Sequence, residues 1–135
     1  MQPTSVRILV VDDFEPMRHL IRTVLLVKAH LQVVGEASDG LEAVQKAMEL
    51  KPDLILLDIG LPLLNGIDAA RQIRGVSPDS KIIFVSHETS ADVLQKAMSS
   101  GAIGYVAKTK VGTDLINAIE AALQGKVFVS DGLVR

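Results

Sequence analysis

Apolar positions along the chain fall into five short, near-continuous runs, at about residues 7–12, 32–37, 53–58, 81–86 and 103–107. Runs of this kind, without polar alternation, suit strands buried on both faces. Between them the spacing becomes helical. Met17, Leu20, Ile21, Val24 and Leu25 form one stripe, Leu41, Val44, Ala47 and Met48 a second, and Ile67, Ala70 and Ile73 a third. Val93, Leu94, Ala97 and Met98 form a fourth, and Leu115, Ile119, Ala122 and Leu123 a fifth. Each stripe would bury one helix face. The punctuation agrees: Pro16 suits a first helical turn, Asp39 with Glu42 resembles a capping box, Asn65 can cap the third helix, and Gly125 can end the fifth. The pattern predicts an α/β domain of alternating strands and helices. Residues 126–135 contain Gly132 and little helical pattern, and read as a tail or the start of a linker.

Polar groups recur where the strand-like runs end. Asp12 and Asp13 close the first, Asp58 the third, Ser86 the fourth, and Lys108 follows the fifth. In a βα repeat each crossover helix returns the chain to the same edge of the sheet, so equivalent strand ends recur about every 20 to 30 residues. The intervals Asp12–Asp58, Asp58–Ser86 and Ser86–Lys108 are 46, 28 and 22 positions, which fit two units, one and one. Ligands of open α/β sheets bind outside the carboxyl ends of the strands, near a topological switch point. Three aspartates, a hydroxyl and a lysine are therefore expected in one site.

Composition narrows the chemistry. With 135 residues, 48% hydrophobic, the chain can bury a sizeable core as one domain. A net charge of −2 gives no general attraction to nucleic acid or anionic membranes, so DNA contact would need another domain. The absence of cysteine excludes thiol catalysis, disulfides and thiolate metal sites. The N-terminus lacks a basic-then-apolar signal pattern, and no apolar stretch is long enough to span a bilayer. A soluble, cytoplasmic protein is expected.

Gathering Asp12, Asp13 and Asp58 is costly without a cation. At roughly 5 Å and an effective dielectric near 20, each carboxylate pair repels by about 3 kcal/mol. Oxygen-only ligands without His or Cys favour Mg2+, which takes one or two carboxylates and leaves positions for phosphate oxygens. An aspartate can act as nucleophile and carry an aspartyl phosphate. The phosphoryl oxygens then need neutralising, and metal, ammonium and hydroxyl can share that task. Lys108 and Ser86 suit it. None of His19, His30 and His87 is marked by the sequence as a general base, so a covalent phosphate could persist as a signal.

These residues resemble the receiver domains of two-component response regulators, over about residues 6–125. The matching segments are ILVVDD at 8–13, DLILLDIGLPLLNG at 53–66, IIFVS at 82–86 and GAIGYVAK at 101–108. The resemblance implies a flavodoxin-like (βα)5 fold with a five-stranded parallel sheet in the order 2-1-3-4-5. It implies Asp58 as phosphoacceptor, Asp13 as a direct Mg2+ ligand, Asp12 as a direct or water-mediated one, and Gly60 as a ligand through its backbone carbonyl. Ser86 would follow the phosphoryl group, Lys108 would pair with it, and Tyr105 would be an aromatic switch turning inward as Ser86 moves. The chain departs from the family at Thr109, where Pro commonly follows the lysine through a cis bond; a non-proline cis bond costs about 2.5 to 4 kcal/mol. His87 stands where a small residue is common and would crowd phosphate access. Gly60 and Glu88 stand at positions that vary within the family and influence dephosphorylation.

The resemblance further implies a sensor histidine kinase as phosphodonor and allows a homodimer on phosphorylation. Such a domain takes part in its own phosphoryl transfer and loss and is otherwise not an enzyme. GKVFVSDGL at 125–133 looks like the boundary after which LuxR-type transcriptional regulators continue into a DNA-binding domain. A free-standing receiver acting through protein contacts is the runner-up. A haloacid-dehalogenase-like phosphatase also uses an aspartyl nucleophile with Mg2+, but expects a second acid where Gly60 stands. A flavodoxin-like binding module would form no covalent adduct and show no Mg2+ response.

Overall fold

In the computed structural model, which describes residues 5–131, strands and helices alternate as the spacing predicts. The order is β1 (Val6–Val11), α1 (Glu15–Leu25), β2 (Leu31–Ala37), α2 (Gly40–Leu50), β3 (Leu54–Leu57), α3 (Gly66–Val76), β4 (Lys81–Ser86), α4 (Ala91–Ser99), β5 (Gly104–Ala107), α5 (Val111–Leu123) and β6 (Phe128–Val129). The strands form one sheet in the order β2-β1-β3-β4-β5-β6, parallel throughout. The expected order 2-1-3-4-5 holds, but the sheet has six strands rather than five. The added strand lies in the stretch read as a tail: Gly104 pairs with Phe128 and Tyr105 with Val129. Two residues are too few to produce an apolar run, and this pairing depends on the edge that β5 offers. Gly132 lies outside the described residues.

The sheet is covered on both sides, which is why its inner strands β1, β3, β4 and β5 are apolar at nearly every position, while the edge strand β2 carries Gln32 and Glu36. Ile8, Val10, Leu54, Leu56, Ile83 and Val85 face α1 and α5, packing with Ile21, Leu25, Leu115 and Ile119. Their neighbours in the chain, Leu9, Val11, Ile55, Leu57, Ile82 and Phe84, pack on the opposite face with Ala43, Ala47, Ala70, Ile73, Leu94 and Ala97. The period-2 exposure of strand side chains thus feeds two cores at once.

Local signals in the helices hold well. Pro16 stands in the first turn of α1. Asp39 accepts from the Glu42 N–H at 2.7 Å and Asn65 from the Asp68 N–H at 2.9 Å, capping α2 and α3. After α5, Gly125 adopts φ +74°, and the N–H groups of Gly125 and Lys126 donate back to the Ala122 and Ala121 carbonyls in a Schellman turn. The expected stripes need correction at Leu20, Leu41, Met48 and Leu123, which are exposed. In α2 the buried face is Gly40, Ala43 and Ala47, because close packing selects the small residues and turns the larger ones outward. A Cβ on Gly40 would meet the Leu64 carbonyl oxygen at 1.8 Å.

Candidate functional site

β1 and β3 are hydrogen-bonded neighbours at the point where the strand order reverses, and both end in aspartates. The ladder continues past the strands: the Asp58 N–H donates to the Val11 carbonyl at 3.0 Å, and the Asp12 N–H to the Ala37 carbonyl at 3.1 Å. This backbone continuity sets Asp58 beside Asp12. Asp12, Asp13 and Asp58 each present a carboxylate oxygen within 4.8 Å of the others. Asp12 is 1% exposed and Asp58 6%, whereas Asp13 is open to solvent.

Lys108 joins this cluster from the 3₁₀ turn Lys108–Lys110 that follows β5. Its Nζ donates to Asp58 Oδ2 at 3.0 Å and lies 2.8 Å from Asp12 Oδ2. The second contact is ionic without hydrogen-bond alignment, and Asp12 Oδ2 is a buried oxygen with no aligned donor. The other carboxylate oxygens are held by backbone: Asp12 Oδ1 accepts from the Phe14 N–H at 2.9 Å, and Asp58 Oδ1 from the Ile59 N–H at 2.8 Å. All described peptide bonds are trans, so Thr109 follows Lys108 through a trans bond.

Burial dominates the acid strength of Asp58 and holds its carboxyl above the ordinary value. The hydrogen bond and charge of Lys108 oppose that shift without cancelling it, and the Asp12 charge reinforces it. Burial also works against a charged Lys108. There the close contacts with the Asp12 and Asp58 carboxylates prevail and hold the ammonium above its ordinary value.

Ser86 ends β4 and is 1% exposed. Its Oγ accepts from the Glu88 N–H at 3.0 Å, while the Glu88 carbonyl accepts from the Tyr105 hydroxyl at 2.8 Å. Tyr105 is wholly buried, its ring 6.3 Å from that of Phe84. Its ring is turned inward, and its hydroxyl ties it to the segment that follows Ser86. Burial raises the Tyr105 hydroxyl above its ordinary value, which keeps it a proton donor.

A cleft of about 320 Å³ opens over these groups, lined by Asp13, Phe14, Asp58, Gly60, Ser86, His87, Glu88 and Lys108. Of the residues expected from the sequence, Asp13, Asp58, Gly60, Ser86 and Lys108 line this cleft; Asp12 touches it through Lys108, and Tyr105 through the Glu88 carbonyl. Two contributors, Phe14 and Ser130, were not marked by the sequence, and a third, Gly66, was marked only as part of the loop after Asp58. Phe14 forms part of the rim, and its exposed ring gave no signal beyond following Asp13. Gly66 lets the chain pass tightly behind Asp58, since a Cβ there would lie 1.9 Å from the Asp58 carbonyl oxygen. Ser130, buried, accepts from the Ala107 N–H at 3.1 Å and donates to Asp114 Oδ2 at 2.7 Å, bracing the backbone next to Lys108.

The family model described as the response regulator receiver domain matches residues 8–120. Among curated proteins, the chain is 36% identical over 121 residues to the transcriptional regulatory protein LiaR of Bacillus subtilis (strain 168), covering 90% of this chain and 57% of LiaR. It is 33% identical over 131 residues to the response regulator protein VraR of Staphylococcus saprophyticus, covering 96% of this chain and 63% of VraR. Among solved structures, a two-component response regulator of the LuxR family from Aurantimonas sp. SI85-9A1 superposes with a TM-score of 0.89 at 34% identity, covering 95% of this chain and 91% of that one. The chain therefore spans about three fifths of the length of the curated relatives it matches.

Proposed function

This chain belongs to the response regulator receiver domain family, and from that premise we propose that it is a phosphorylation-controlled switch whose phosphoacceptor is Asp58. The observation that carries the reading is the buried bridge in which one ammonium, Lys108, meets both Asp12 and Asp58 while Asp13 stands at the open side. The site holds its nucleophile at the floor of a cleft roomy enough for a phosphoryl group, with a cation and a hydroxyl at hand.

The donor set fits a hard divalent cation. All candidate ligands are oxygens, and Asp12 Oδ2 is buried with no aligned donor. Asp12, Asp13, Asp58 and the Gly60 carbonyl would hold Mg2+. When bound, it supplies charge neutralisation for the carboxylates and for incoming phosphoryl oxygens. Asp58 Oδ attacks phosphorus, the bond from phosphorus to the donor breaks, and the donor leaves with its electron pair. Lys108 then exchanges part of its carboxylate contact for the phosphoryl oxygens, and the Ser86 hydroxyl moves to meet them.

A sensor histidine kinase is the donor that this chemistry suits, since a phosphohistidine readily gives up its phosphoryl group to a carboxylate. The name of LiaR and that of the LuxR-family regulator from Aurantimonas support a transcriptional output of LuxR type, with DNA contact through an output domain. Added charge at Asp58 favours a rearranged Ser86 and Tyr105 and alters the face formed by α4, β5 and α5. Incubation with acetyl phosphate and Mg2+, followed by intact mass measurement, tests the assignment. The wild type gains one phosphoryl group and Asp58→Asn gains none; equal labelling of the two rejects Asp58 as acceptor.

A further inference from the structure

The sequence reads His87 as crowding phosphate access and does not mark it as a general base, and the structure has it lining the cleft that Asp58 and Lys108 share. Its backbone is pinned from both sides. Immediately before it, Ser86 Oγ accepts from the Glu88 N–H, and immediately after it the Glu88 carbonyl accepts from the buried Tyr105 hydroxyl. These two bonds, at 3.0 and 2.8 Å, hold residue 87 at the rim in a fixed turn. His87 is exposed, and its imidazole makes no side-chain hydrogen bond or ion pair among the described residues.

The other groups around the cleft are already engaged or unsuited to taking a proton. At the end of β1, Asp12 is bound to Lys108 and Asp13 belongs to the carboxylate cluster. At the end of β3, Asp58 is the acceptor, and Lys108 after β5 is held charged by both buried carboxylates. Glu88, exposed beyond β4, is the one remaining carboxylate on the lining.

We propose that His87 is the general base that hydrolyses the Asp58 phosphate and so sets the lifetime of the switch. The inference rests on Asp58 being the phosphoacceptor. A water oxygen attacks phosphorus in line, and the bond between phosphorus and the Asp58 carboxylate oxygen breaks. The bonding pair returns to that carboxylate, and the water proton passes to neutral His87. Inorganic phosphate leaves, and the imidazolium gives its proton to solvent. No oxidant or further reactant is required. Positioned general bases contribute typically 10²- to 10⁴-fold, and an exposed one belongs at the lower end.

The test follows loss of the phosphoryl mass from protein labelled with acetyl phosphate and Mg2+, after removal of the donor, between pH 5.5 and 8.5. For the wild type the rate is expected to rise with pH through a single inflection in the range where imidazole groups change charge, about pH 5 to 8. In His87→Asn and His87→Ala the inflection disappears, and the rate at high pH falls roughly 10²-fold. Circular dichroism and the extent of initial labelling establish that each variant is folded and phosphorylated. A flat wild-type profile, an inflection kept in His87→Asn or lost instead in Glu88→Gln, or faster loss at every pH in His87→Ala overturns the proposal. The last result would make residue 87 a steric obstacle only. If the wild type takes up no phosphoryl group, the acceptor reading fails, and the role of His87 fails with it.

Discussion

Ionised Asp58 works against the fold that places it. Burial holds its folded-state carboxyl above the ordinary value, so between the unfolded value and the raised folded one the native state binds more protons than the unfolded chain. Stability contributed by this group is full below the unfolded value and declines as pH rises through the folded one. At neutral pH the carboxylate is therefore a liability relative to a neutral isostere. Asp58→Asn is expected to melt higher than the wild type at pH 7 without divalent cations, and the gap should close as pH falls below 4. Thermal melts across that range check the sign; a lower melting temperature for Asp58→Asn at pH 7 would show that the contact with Lys108 outweighs burial. The residue types at this site were legible because Asp12, Asp58, Ser86 and Lys108 each end an apolar run. Which oxygen meets which nitrogen was not legible. Lys108 reaches Asp12 as well as Asp58 because β1 and β3 are neighbours, a fact of topology rather than of local pattern.

Elements announce themselves in the sequence when they bury a face of their own, and disappear from it when they depend on a neighbour. β1, β3 and β4 are apolar at nearly every position since both faces are covered, and caps such as Asp39 and Asn65 act within three residues. β6 fails both conditions, with two half-buried residues whose partners lie in β5. The exposed Leu41 and Met48 misled for a related reason: the face of α2 that packs is made of Gly40, Ala43 and Ala47, whose value is smallness rather than hydrophobicity. Gly66 likewise reads as a turn residue, while its close approach to the Asp58 carbonyl appears only in three dimensions. The segment after β6 also carries structural weight. Ser130→Ala would leave the Ala107 N–H buried without its acceptor and Asp114 Oδ2 without the Ser130 donor, costing about 1 to 3 kcal/mol. Urea unfolding measures that loss, and amide exchange at Ala107 should quicken with it. A change below about 0.5 kcal/mol, the range of ordinary surface substitutions, would mean that water replaces the hydroxyl and that the brace behind Lys108 is not needed.

For the molecule as a whole, the cleft is an electrostatic deficit that the fold is built to carry. Three carboxylates face one ammonium, leaving two negative charges that one divalent cation balances. The sheet sustains this because its two cores bury all of β3 and all of β1 except Arg7, so the strand ends cannot move apart to relieve the repulsion. Any cation that binds the folded site and not the unfolded chain must then raise stability by mass action, by about 2.7 kcal/mol at a hundredfold excess over its dissociation constant. For a domain of this size that corresponds to a rise of roughly 10 °C in melting temperature. Mg2+ is expected to give such a rise, saturating with concentration, while Na+ at matched ionic strength gives little. Asp13→Asn removes the exposed, solvent-screened carboxylate without disturbing the buried bridge, so its melting temperature without Mg2+ should rise only slightly above that of the wild type while the Mg2+ response falls away. Asp58→Asn should differ from it, with a higher starting temperature and a reduced response. A Mg2+ increment that survives in Asp13→Asn, or that Na+ reproduces, would place the cation elsewhere on the surface and leave the three-aspartate cluster as a feature of the fold alone.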